Sequence, residues 1–121
     1  MDTKKQELKN RTRLFAGRIV RLYSALPLNR VEVSVIGRQM LRSGTSVAAN
    51  HREASRARSP EEFVAKIGIC CQEADETQMW LELLKEDCRI GLDEIENLWR
   101  EADELISIFV TMSKNTKRTI K

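Results

Sequence analysis

Apolar residues that recur at alternating spacings of four and three constrain this chain more than any other feature of its sequence. Phe63, Ile67, Cys70, Ala74, Thr77, Leu81, Leu84 and Cys88 follow that rhythm without a slip, which puts them along one seam of a long helix. Leu8, Thr12, Phe15, Ile19, Leu22 and Leu26 repeat it nearer the start, and Ile95, Trp99, Ala102, Ile106 and Phe109 nearer the end. A strand would need a period of two, so three amphipathic helices are predicted.

Punctuation sets their limits. Ser59-Pro60-Glu61-Glu62 offers a cap, a proline suited to the first helical position and a capping-box glutamate. Asp93-x-x-Glu96 reads as a second capping box, Gly91 as the stop before it, and Pro27 as the end of the first helix. Between Asn29 and Arg58, Val31, Val33 and Val35 alternate like a strand that has no partner elsewhere. Ile36, Met40, Val47 and Ala54 keep helical spacing, so a helix with Asn29-x-x-Glu32 as its cap is the reading adopted. The small-residue run from Ser43 to Asn50 costs about 1 kcal/mol of helix propensity at Gly44. Either a neighbouring helix packs very close there or the helix breaks. The expectation is one all-α domain over residues 1–121, an up-and-down antiparallel four-helix bundle with helices near 3–26, 30–57, 60–89 and 92–114.

With 121 residues there is material for one core, and 41% apolar with 32% charged residues suits helices with charged outer faces. The opening residues are polar and basic, unlike a signal peptide, and no apolar run is long enough to span a membrane. The expected location is therefore cytoplasmic. Cys70, Cys71 and Cys88 are read as reduced thiols that pack. The net charge of +3 hides an imbalance: residues 1–30 carry eight Lys/Arg against two acids, whereas 59–91 carry three against eight.

Beyond the seams, Ile69, Met79, Trp80 and Leu83 form a second apolar strip on the third helix, and Leu98, Leu105, Ile108 and Met112 one on the fourth. Two such strips exceed what a lone bundle hides, and they are candidate subunit-interface residues.

Catalytic patterns are missing. His51 is the single histidine, no Glu stands three residues before it, and the five glycines make no phosphate-binding loop. No catalytic residue, metal site or cofactor is expected, and the chain is read as non-enzymatic. Asn50, His51 and Glu53, with Glu73 and Glu76 on the next helix, are a candidate polar cluster.

Phe15-Ala16-x-x-Ile19 with Leu26-Pro27, then Gln39 to Asn50, then Glu62-Phe63-x-x-Lys66-Ile67, then Glu73-Ala74-x-Glu76-Thr77-x-x-Trp80-Leu81-Glu82-Leu83-Leu84 occur in that order. Together they resemble the bacterial four-helix-bundle proteins encoded in intervening sequences of 23S ribosomal RNA genes, also called the S23 ribosomal protein family. That pattern usually runs on from the asparagine as N-I-A-E-G, whereas this chain has Asn50-His51-Arg52-Glu53-Ala54. The resemblance implies a homopentamer without enzymatic activity. It extends to the accessory protein of diversity-generating retroelements, a basic pentamer thought to bind nucleic acid and a reverse transcriptase.

Two functions follow as expectations. Lys4, Lys5, Lys9, Arg11, Arg13, Arg18 and Arg21 of the first helix are candidate RNA or DNA contacts, unless they pair with the acidic third helix. The alternative is a scaffold that binds another protein and never touches nucleic acid.

Overall fold

The computed structural model describes residues 3–120, so positions 1, 2 and 121 of the expected domain lie outside the described residues. Four helices follow in order: α1 (Thr3–Ala25), α2 (Val31–Ser55), α3 (Pro60–Glu82) and α4 (Asp93–Thr119). A π turn, Leu83–Asp87, prolongs α3. Among the described residues there is no strand.

Successive helices run antiparallel. Ion pairs join Lys66 of α3 to Glu53 of α2, and Arg11 and Arg18 of α1 to Glu101 and Glu94 of α4. In each case the later residue of one helix meets the earlier residue of the other. The α1–α4 contact closes the ring, giving the up-and-down bundle that four amphipathic helices with short connections favour. The core is one cluster, with Phe15, Ile19, Met40, Val47, Ile67, Leu81, Leu84, Leu98, Leu105 and Phe109 among its fully buried members.

α2 is unbroken through its small-residue run. At Gly44 a methyl group would stand 2.8 to 3.0 Å from three side-chain carbons of Ile19, so the close-packing alternative holds and the break does not occur. The hydroxyl groups of Ser43 and Thr77 meet at 2.7 Å in the buried α2–α3 contact, which accounts for polar residues on both seams.

Three local expectations need correction. Ser59 does cap α3, accepting from the Glu62 amide at 3.1 Å, but α2 and α4 begin after Arg30 and Leu92 with no side-chain cap. Asp93 sits in the first turn of α4 rather than before it, where its charge favours the helix dipole without bonding an amide. Gly91 does not end α3. The π turn shifts the chain by one residue, Arg89 takes the left-handed conformation (φ 59°), and the Ile90 amide closes on the Leu84 carbonyl at 3.0 Å. The closure resembles a Schellman motif widened by one residue, with buried Ile90 as its apolar plug. α4 also runs past the expected limit near Lys114, to Thr119.

The second apolar strip of α4 belongs mostly to the subunit itself. Leu98 and Leu105 are fully buried, and Ile108 and Met112 are half-buried against the core. They are therefore not free interface residues in the way expected. α4 packs on α3 along one side and α1 along the other, so its apolar face is wide enough to take both lines of residues. On α3 the strip does reach solvent: Ile69 is 37% and Met79 44% exposed, with Trp80 and Leu83 half-buried beside them.

Candidate nucleic-acid interface

Antiparallel packing gathers at one end of the bundle the start of α1, the end of α2, the start of α3 and the end of α4. Lys4, Lys5 and Lys9 come from α1, Arg52, Arg56 and Arg58 from the α2 end and the loop after it, Lys66 from α3, and Lys114, Lys117 and Arg118 from α4. Against these ten, among the described residues, stand four carboxylates, Glu7, Glu53, Glu61 and Glu62. The far end is close to balance: Glu32 and the six acids between Glu82 and Glu96 stand there with Arg18, Arg21, Arg30, Arg38, Lys85 and Arg89. The positive excess therefore lies at one end of the bundle, and the first-helix lysines are one corner of it.

The helical context makes that corner conspicuous. Among the described residues the first turn of α1 contains Lys4 and Lys5 and no acid, whereas the positive pole of a helix favours acids by about 0.3 to 1 kcal/mol each. By contrast α3 and α4 both begin with acids. Lys117 and Arg118 in the last turn of α4 suit the dipole. Arg52, Arg56, Arg58 and Lys66, with Glu53 and Glu62, line an open cavity of about 330 Å³ at the α2–α3 corner.

The remaining first-helix candidates divide into two sets. Arg11 donates from Nε and Nη2 to both oxygens of Glu101 at 2.6 and 2.8 Å and from Nη2 to Glu104 at 2.6 Å. Arg18 grips Glu94 in the same two-pronged way at 2.9 and 3.0 Å. Hydrogen bonds from Arg11 and Arg18 hold Glu101 and Glu94 below the usual carboxylate range. These two arginines fasten α1 to α4, so the pairing expected with the third helix falls instead on the fourth. Arg13 and Arg21 point outward over Gly17 and have no carboxylate in ion-pair distance among the described residues.

The five residues of the candidate polar cluster do not converge. Asn50 donates to Ser46 within its own helix. Glu53 meets Lys66 at 2.7 Å, and Glu73 and Glu76 both meet Arg42 of α2, with the Trp80 indole also donating to Glu76 at 3.2 Å. Periodicity gave no sign of Arg42 as their partner. Its position facing two acids one turn apart becomes visible only once α2 and α3 are aligned. His51 is buried with its ring 6.3 Å from that of Phe109, and its Nδ1 has no hydrogen-bond partner. Burial, helped by the charge of Lys9, lowers its pKa below the ordinary 6.5.

Cys70, Cys71 and Cys88 are free thiols. Burial pushes Cys70 up to about 12, and its Sγ lies 3.7 Å from the Val47 carbonyl, as a packed thiol should. Among the described residues no cluster of three His, Cys, Asp or Glu side chains is placed to hold a metal, and no helix is long and apolar enough to cross a membrane.

The structure defines a small antiparallel helical bundle with ion pairs along its seams and a basic surface at one end. The chain belongs to the 23S rRNA-intervening sequence protein family, whose family model matches residues 4–111. A solved structure of a protein with unknown function from the S23 ribosomal protein family, from Bacteroides thetaiotaomicron, is 39% identical. It covers 88% of this chain and 97% of its own, with a TM-score of 0.80. No curated protein matches.

Proposed function

We propose that this protein is a non-enzymatic, self-associating bundle that binds nucleic acid through its basic end. The observation that carries the reading is the placement of Lys4 and Lys5 in the first turn of α1, beside the basic ends of α2 and α4. Basic side chains from all four helices meet at that end, and a clustered basic surface is the electrostatic footprint of phosphate binding. Phosphates would neutralise the clustered positive charge, and copies of one basic end in an assembly would add their contacts on one strand. The exposed strip at Ile69 and Met79 supports association of subunits. A homopentamer is the assembly that the family resemblance implies.

Titration of structured RNA and duplex DNA at two salt concentrations tests the reading. Binding should weaken steeply with salt, and replacing Lys5, Lys114 and Lys117 by Gln should flatten that dependence by up to roughly one unit of log–log slope for each phosphate no longer neutralised. Absence of binding at about 50 mM salt removes the proposal.

The same exposed strip favours a second reading, a scaffold that holds another protein. Partners retained after nuclease treatment of a pull-down support the scaffold, and partners released with the nucleic acid support the first reading.

A further inference from the structure

We propose that Arg13 and Arg21 form a two-guanidinium clamp over Gly17 on the outer face of α1, and that the clamp holds one phosphodiester of a nucleic-acid strand outside the basic end. The inference rests on the nucleic-acid reading and names a contact that the reading does not need.

Arg13, Gly17 and Arg21 stand four residues apart, on the face of α1 opposite its buried line. A methyl group added at Gly17 would lie 3.1 Å from Nη1 of Arg13, and 3.4 and 3.9 Å from Nη1 and Nη2 of Arg21. The two side chains therefore close over the same spot of bare helix surface. Two like charges do not gather there on their own account. Glu94, the carboxylate near enough to sense Arg21, is already held by both prongs of Arg18. Exposed Leu14 and Val20 flank the pair on either side.

The glycine is the second observation. Gly37 and Gly44 are explained by neighbours that crowd them, Leu26 with Tyr23 and Ile19 respectively, whereas Gly68 of α3 has open space around it. No other helix crowds Gly17; its near neighbours are the two arginine tips. A mid-helix glycine lowers helix stability relative to alanine, and here its effect is to let the guanidiniums lie against the helix. Two guanidinium edges on a common point can share the oxygens of one phosphate through charge-assisted hydrogen bonds.

The experiment compares Gly17→Ala, the pair Arg13→Gln with Arg21→Gln, and Arg38→Gln as an equal-sign control elsewhere, by salt-dependent titration of the nucleic acid that the unaltered chain binds and by thermal melting. Gly17→Ala keeps every charge; it should raise Tm by about 3 °C yet weaken binding several-fold. The paired variant should lower the log–log salt slope by about one unit, as expected when one fewer phosphate is neutralised, and Arg38→Gln should leave it unchanged. A raised Tm with unchanged affinity in Gly17→Ala, or an unchanged slope in the paired variant, overturns the clamp while leaving the basic end standing. If the paired variant instead dissociates the assembly at an unchanged slope, the clamp is overturned in favour of a carboxylate on a second protein chain. No binding by the unaltered chain overturns both.

Discussion

At Gly44 the backbones of α1 and α2 approach so closely that Ile19 occupies the space a side chain would take. Gly44→Ala should gain about 1 kcal/mol of helix propensity and lose more, because Ile19 is fully buried and branched at Cβ and cannot swing aside. The expected net loss is about 1 to 2 kcal/mol, measured as a lower denaturant midpoint at unchanged slope. His51 presents the opposite case. It stands where the family pattern has isoleucine, buried beside Phe109 with an unpartnered Nδ1. His51→Ile should stabilise the fold by about 1 kcal/mol at neutral pH, since a buried unsatisfied group is removed. It should also alter the pH response. The folded-state pKa is lowered, so the unfolded chain binds more protons as pH falls through 6.5 and stability drops in that window. The variant should lose that decline, which thermal melts between about pH 7 and 5 would detect. A decline of the same size in the variant assigns it to other groups.

Among the elements, the α1–α4 contact depends most on ion pairs. Arg11 bridges Glu101 and Glu104, and Arg18 holds Glu94, each by two-pronged geometry that favours a defined pair over a loose surface one. Arg11→Ala leaves half-buried Glu101 without its donor. A loss of about 1 kcal/mol is expected, with faster amide exchange concentrated in α1 and α4; exchange that rises evenly over all four helices would show that the seam is not where the bundle opens. Both carboxylates have lowered pKa values, so this contribution is fully present above the ordinary carboxylate range and is lost as pH falls below it, through the lowered values. Periodicity made α1 fully legible: all six of its seam residues, Leu8 to Leu26, are buried. On α4 it was legible by half, because spacing locates the middle of an apolar face and not its width. Trp99 and Ile106 flank the line Ile95, Leu98, Ala102, Leu105, Phe109 rather than share it. Caps failed at Asn29 and Asp93 because a capping residue also needs the right backbone turn, which composition does not encode. The basic end was hidden for a different reason. Charge was summed along the chain, whereas antiparallel packing sums the termini of alternate helices, and so Arg52, Arg56, Lys114 and Lys117 join Lys4 and Lys5.

For the molecule as a whole, the question is what covers the outer face of α3. Its buried line, Ile67 to Leu84, is complete within the subunit, so Ile69 and Met79 add nothing to the core by being apolar. They sit two to three turns apart on one face, with half-buried Trp80 and Leu83 extending the strip. A strip of that kind gains from contact with another protein surface, and copies of this chain are the surface always at hand. The particle in solution is therefore expected to weigh a multiple of 14.0 kDa. Replacing Ile69 and Met79 by Glu should reduce it to the single-subunit mass while helical content and the thermal transition persist, because neither side chain is part of the buried cluster. Light scattering with circular dichroism reads both quantities. An assembly that survives both glutamates is held by another face; an unaltered chain that is already 14.0 kDa at working concentration removes the assembly altogether. With it would go the multivalent gain in nucleic-acid affinity, and the basic end would bind with one subunit's contacts alone.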